Sequence, residues 1–253
     1  MWISIISLFP NIFKEIIKYG LINKSIKKKL LNISFFNPRD FIQNKNRKVD
    51  SLIYGGGGGV ILKAEPLIRA INQAKLKMKK DNIKIIFLSP QGQKLNVSCI
   101  KKLLSYKNMI FICGRYKGID ERVINNFVDE EISIGDYILS GGELPAMVLI
   151  DVLVRNIPGV LNTISSCTTD SFFNNGLLGF PNYTKPKILK NLKNNHVPKV
   201  LISGNHKKIE EWRLKQSLGI TWLKRPDLLK KKKLTKQEKL LFNKFKHSYL
   251  KNK

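Results

Sequence analysis

Three short apolar runs, each passing directly into a glycine-bearing loop and separated from the next by a helical segment, leave this chain few folds to adopt. Lys84–Leu88 runs into Ser89-Pro90-Gln91-Gly92, and Met109–Cys113 into Gly114-Arg115-Tyr116-Lys117-Gly118. Val128–Ile134 runs into the stretch Ser133–Pro145, which holds three glycines, two serines and a tyrosine. Alternating strands and helices predict a mainly parallel α/β sheet. In such sheets ligands bind beyond the carboxyl ends of the strands. Three such loops at one sheet edge therefore point to a small-molecule pocket, with ordinary connecting turns as the alternative. Glycine allows close backbone approach to a ligand, and Glu143 and Pro145 suit the first turn of the helix that follows.

The 253 residues provide one large domain or two modest ones, and 43% hydrophobic content supports a core. The formal charge of +28 points to a polyanionic partner, nucleic acid first. Of 46 basic residues only 8 are arginine, however, and the wealth of Lys, Asn and Ile is equally what an AT-rich genome produces by drift. Charge patterning does not choose between these sources. Cys99, Cys113 and Cys167 are widely spaced, as are His196, His206 and His247, so neither a zinc site nor a disulfide framework is indicated. The apolar start, Met1–Phe9, lacks a basic leader and a cleavage site, and no segment reaches transmembrane length. The expectation is a cytoplasmic protein that engages neither membrane nor DNA.

Along the chain, Trp2–Phe9 reads as a buried strand, Asn11–Leu31 as helical with a break at Gly20, and Asn32–Phe36 as a strand. Pro38–Ser51 reads as a polar loop. Tyr54 precedes five glycines, Gly55–Gly59, without the Gly-Lys-Ser/Thr of a P-loop or the helix context of a dinucleotide fold; a hinge and a close-approach surface both fit. Glu65-Pro66 opens a helix, and short helices are expected over Cys99–Leu104 and Ile119–Phe127. Leu144–Val154 is apolar on every face apart from Asp151, which predicts burial in a core or a subunit interface. The predicted division is an α/β ligand-binding domain over 1–160, a linker over 161–175 rich in Ser, Thr and Asn, and a small helical domain over 176–253. In the last, Lys199–Ser203 reads as extended, Gly204-Asn205-His206 opens a helix, and Thr235-Lys236-Gln237-Glu238 fits a capping box.

Leu88-Ser89-Pro90-Gln91-Gly92, Cys113-Gly114-Arg115-Tyr116, Gly118-Ile119-Asp120-Glu121-Arg122-Val123, Ser133–Pro145, Ile157-Pro158-Gly159-Val160, Asp170-Ser171-Phe172, Gly176-Leu177-Leu178, Ser203-Gly204-Asn205-His206 and Trp212-Arg213 occur in this order. Together they resemble the bacterial tRNA (guanine37-N1)-methyltransferases over nearly the whole chain. The resemblance implies a trefoil-knotted α/β domain over 1–160, the catalytic one, followed by a mainly helical domain, acting as a homodimer on tRNA. Knots are almost absent from proteins, so strand and helix patterns alone would not propose one. It implies S-adenosylmethionine held by Leu88, Ser89, Pro90, Gln91 and Gly92, by Gly114, Arg115 and Tyr116, and by Ser133, Ile134, Gly135, Asp136, Tyr137, Ile138, Leu139, Gly141, Gly142 and Pro145. It also implies a magnesium ion, for which no ligand set is visible.

The reaction implied is methyl transfer to guanine N1, which carries a proton. Asp170 matches the family's general base, a role within the reach of a carboxylate. Arg155 matches a second catalytic residue that would hold the negative charge developing on O6. Without the resemblance, Asp170 would be read as a solvated linker carboxylate and Arg155 as a helix C-terminal charge. Asp120, Glu121 and Arg122 are candidates for reading guanine edges, or else an ordinary helix start. His206, Trp212 and Arg213 are candidates for tRNA contact by phosphate binding and stacking, with core packing the alternative for Trp212. The chain departs from the family pattern at Lys117, where Glu is usual, at Ser51 and Gly179, where Asp is usual, and at Ile53, where Pro is usual. Two other functions stay open: a related methyltransferase acting on ribosomal RNA, and an RNA-binding protein that has lost catalysis.

Overall fold

A computed structural model describes residues 1–42, 48–79, 82–161, 170–173, 176–190 and 196–251. The chain divides into two compact units, Met1–Asn162 and Thr163–Lys253. The predicted linker, 161–175, together with Cys167, lies largely outside the described residues.

The first unit is built on a five-stranded, wholly parallel sheet. Its strands are β1 (Trp2–Ile6), β2 (Asn32–Phe36), β5 (Ile83–Lys94), β6 (Asn108–Cys113) and β7 (Glu130–Ser133), in the order β2-β1-β6-β5-β7. A separate antiparallel hairpin joins β3 (Asp50–Leu52) to β4 (Val60–Leu62). The helices are α1 (Gly20–Lys27), α2 (Ala64–Met78), α3 (Val97–Leu103), α4 (Glu121–Phe127) and α5 (Glu143–Arg155). Side chains alternate across a strand. Thus Ile86, Leu88, Met109 and Phe111 enter one buried cluster with α1, α3 and α5, while Ile85, Phe87, Ile110 and Ile112 enter a second with α2 and α4. Both sheet faces are therefore covered, which is why the central strands read as unbroken apolar runs rather than as alternation.

Several elements differ from their sequence reading. Asn11–Leu31 is not one broken helix: two 3-10 turns precede α1, which begins at Gly20. The predicted loop 38–51 ends in β3, whose partner β4 lies beyond the glycine run, so those glycines form the turn of a hairpin. The turn expected at Ser89–Gly92 is instead a bulge within β5. Leu88 and Gln93 both face Ile132, and the strand continues to Lys94.

The second unit contains α6 (His206–Lys224), a short α7 (Pro226–Lys230) and α8 (Lys236–Lys251). Lys199–Ile202, read as extended, is a 3-10 turn after Pro198. Asn205 caps α6 by accepting from Lys208 N. Thr235 N donates to Glu238 Oε2 while Glu238 N donates to Thr235 Oγ1, a reciprocal cap on α8. Leu177, Leu218 and Leu241 form the unit's small core. Trp222 packs edge-on against Phe242 and Tyr249, beside the stacked Phe245–Tyr249 pair.

Candidate functional site

Between the bulge of β5 and the carboxyl ends of β6 and β7 lies a pocket of about 460 Å³. It is lined by every residue that the resemblance assigns to the methyl donor except Gly92 and Asp136. Asp136 turns away to Lys94, 3.1 Å from its Nζ. Gly92 packs against the backbone of Glu131 and Ile132, where a Cβ would collide with both. The same logic holds at Gly142: a Cβ there would lie 2.8 Å from Cys113 Cα, and its N–H donates to Gly114 O. Both glycines bring the walls together, and Gly142 also lines the pocket.

Ile61, Phe87, Lys117, Gly118, Ile119, Glu121, Ile124 and Ile132 complete the lining. Phe87 and Ile132 stand one or two residues before the loops, so the strand-end rule could have found them. Ile61 could not be found that way, because it reaches the pocket through a hairpin whose pairing the sequence hides. The hairpin is tied to the wall by Leu62 N donating to Gly118 O and Lys117 N donating to Val60 O. Tyr116 adopts φ 60°, unusual for a bulky side chain and concentrated at functional sites. The Tyr137 ring folds back over Gly135, and Ile138 is 82% exposed at the rim.

Beneath the pocket, Arg115 is held from three sides. Its Nε lies 2.9 Å from Glu143 Oε2, an ion pair without the alignment of a hydrogen bond. Its guanidinium sits 4.6 Å from the Phe9 ring centroid, and Nη1 donates to Ser140 O at 3.2 Å. Glu143, only 1% exposed, also accepts from Ser7 Oγ at 2.7 Å. Burial, with the Glu143 charge adding to it, pushes the Cys113 thiol well up and leaves it an inert core group.

Asp120 caps α4 and grips Arg122: it accepts from Arg122 N and Nε at 2.9 Å and from Nη2 at 2.8 Å. Hydrogen bonding from Arg122 holds its carboxyl below the usual range. Of the triplet, Glu121 is the one that lines the pocket. Arg155 ends α5 in an exposed position. The outer face of that helix carries Leu144 (51% exposed) and Val148 (42%), so α5 is not buried all round within this chain.

In the second unit, Asp170 is half-buried at the start of a tight loop. Gly179 N donates to Ser171 Oγ at 2.8 Å, Phe172 N to Leu177 O at 2.7 Å, and Leu178 N to Thr221 Oγ1 of α6 at 2.9 Å. His206 opens α6 and is exposed. Trp212 is half-buried with its ring 6.3 Å from Tyr183, and the Arg213 guanidinium lies 4.8 Å above Phe180. Among the described residues no group of three or more His, Cys, Asp or Glu could hold a metal ion, so no ligand set for the implied magnesium stands out among them. Among them, too, no helix is long and apolar enough to cross a membrane.

The chain has counterparts in sequence and in fold. The protein named tRNA (guanine-N(1)-)-methyltransferase of Buchnera aphidicola subsp. Acyrthosiphon pisum is 57% identical over 230 residues, 90% of this chain and 94% of that protein. The protein of the same name from Photobacterium profundum is 51% identical over 249 residues, 98% of each. The crystal structure of tRNA (m1G37) methyltransferase from Aquifex aeolicus superposes with a TM-score of 0.71 at 35% identity, covering 91% of this chain and 95% of that one. The family described as tRNA (Guanine-1)-methyltransferase TrmD matches residues 1–231, and to that family this chain belongs.

Proposed function

We propose that the chain transfers a methyl group from S-adenosylmethionine to N1 of the guanine at position 37 of tRNA. The observation that carries this reading is the pocket formed by the bulge of β5 and the loops at the carboxyl ends of β6 and β7. Its chemistry suits the donor: Leu88, Ile134 and Leu139 offer apolar walls, and the loop backbones offer hydrogen bonds to a heterocycle. The bound donor supplies an electrophilic methyl on sulfur. The trefoil knot belongs to the same proposal and is supported by the likeness to the Aquifex enzyme.

Asp170 is the general base that takes the N1 proton, and Arg155 holds the charge that grows on O6 as N1 attacks. Holding the two reactants in line supplies much of the remaining acceleration. Asp170 is suited to its role by the loop beneath it, anchored through Ser171, Leu177 and Leu178. No step is routed through magnesium. The second unit grips the tRNA with His206, Trp212 and Arg213 and carries most of the positive charge. It holds 21 basic and 5 acidic residues, +16 of the total +28 in about a third of the length. Asp120 and Arg122, being paired, act on RNA together rather than separately. A homodimer is the working form, and the exposed Leu144 and Val148, with Ile12 on the turn that packs against α5, give it an apolar contact face. A cytoplasmic setting agrees with Cys99 and Cys113 being free thiols.

One observation favours a second reading. Lys117 brings a positive charge to a pocket meant for a sulfonium, which is what an RNA-binding protein without catalysis would tolerate. The test is methyl transfer to defined tRNA transcripts. Transfer that requires guanine 37, and that Asp170→Ala abolishes while donor affinity stays within about threefold, supports the proposal. Transfer only to ribosomal RNA, or donor binding too weak to measure, refutes it. Near-normal turnover in Asp170→Ala removes that residue from the mechanism.

A further inference from the structure

Three loops that are far apart in sequence meet at one buried carboxylate, and that junction lies directly under the donor pocket. Ser7 comes from the loop after β1, Arg115 from the loop after β6, and Glu143 from the first turn of α5, 136 positions along the chain from the hydroxyl that serves it. We infer that Glu143 is a positioning residue, which sets the shape of the donor pocket by holding Arg115 of its wall without itself touching what the pocket holds.

The case rests on what each group could do otherwise. A carboxylate of this burial is costly unless its lone pairs are used. Glu143 uses one oxygen for the Ser7 hydroxyl and turns the other to Arg115 Nε. Arg115 does not reach into the pocket as a free cation. It is spent on Glu143, on the Phe9 ring and on Ser140 O, so its side chain cross-links the β6 loop to the loop that enters α5. The backbone repeats the link: Gly142 N donates to Gly114 O at 2.9 Å, and Arg115 bridges to Gly141. No side chain fits at Gly141, since a Cβ would collide with Arg115 Nε and lie 2.5 Å from Glu143 Oε2. Both linked loops line the pocket, one through Gly114–Gly118 and the other through Ile134–Leu139, Gly141 and Gly142. A slackened clamp moves these walls apart, and the loss falls on donor binding rather than on the chemical step.

This inference rests on the reading of the pocket as the donor site, and calorimetric titration of the intact protein with S-adenosylmethionine keeps the two apart. The wild-type chain binding no donor would remove the site reading itself. With wild-type binding in hand, Glu143→Gln and Arg115→Met are each expected to weaken donor affinity about tenfold, as removal of one partner of a buried pair does. The double variant should be scarcely worse than either single one, because the two act as a unit. Donor KM should rise with kcat within about twofold, and tRNA affinity should hold. Ser7→Ala, which deletes only a hydroxyl, gives a loss of about two- to fivefold and serves if Glu143→Gln fails to fold. Donor affinity within twofold of wild type in folded Glu143→Gln or, failing that, in both Arg115→Met and Ser7→Ala, overturns the inference, as does strict additivity of the two single losses.

Discussion

Replacing Gly92 by alanine probes the packing that allows the pocket to exist. The added methyl has nowhere to go: it would collide with the Glu131 carbonyl carbon and the Ile132 nitrogen, and it would lie 2.6 Å from Glu131 O. That is roughly 0.7 Å inside the shortest ordinary carbon–oxygen contact of about 3.3 Å. The obstacle is backbone, so no rotamer change relieves it, and β7 must withdraw from the bulge of β5. Withdrawal strains the pairing of Ile132 with Leu88 and Gln93. Overpacking costs about 1–3 kcal/mol, and one or two weakened ladder hydrogen bonds add about 1 kcal/mol each. A total of about 3 kcal/mol corresponds to a fall in Tm of roughly 6–12 °C for a chain of this size. Calorimetric or circular-dichroism melting measures it, and titration with the donor should show weakened binding in parallel, because Leu88, Ser89, Pro90, Gln91 and Ile132 line the pocket. A Gly92→Ala protein melting within about 1 °C of wild type, with unchanged donor affinity, would refute the claim that close approach of β5 and β7 shapes this site.

Two further outcomes follow from charge. Lys117→Glu should tighten donor binding by about fivefold, roughly 1 kcal/mol for reversing one charge in a partly open pocket; the gain should shrink with added salt, and unchanged or weaker binding would count against a cationic donor there. Glu130 is half-buried between Lys102 (2.6 Å) and Lys84 (3.0 Å). Burial pushes its carboxyl up, but the two lysines outweigh it and hold it below the ordinary range. A depressed carboxylate contributes stability that is present above its unfolded value of about 4.3 and is lost as pH falls through the folded value. Glu130→Gln should therefore cost about 1–2 kcal/mol in urea unfolding at neutral pH, with the gap from wild type closing below about pH 4; a gap that stays constant through the acid range would contradict the ion-pair account.

The sequence by itself determined the layered core and most of the pocket's lining. The apolar runs at 84–88 and 109–113 can satisfy their backbone and bury both faces only inside a covered parallel sheet, and glycine-bearing loops at their ends mark where a ligand has room. The cap at Thr235 was legible because the interaction is local, complete within four residues. What the tertiary structure decided is whatever depends on partners distant along the chain. The β3–β4 hairpin joins segments across a glycine run that carries no pattern. β5 passes through Pro90 because β7 accepts the bulge, which overrides the local turn signal. The all-round apolar α5 gave no hint of which face stays open, since that is set by what packs against the other sides. Glu143 read as an ordinary helix-start acid. Only the fold, by bringing Ser7 and Arg115 to it and excluding water, turns that carboxylate into the point where the walls of the pocket are joined.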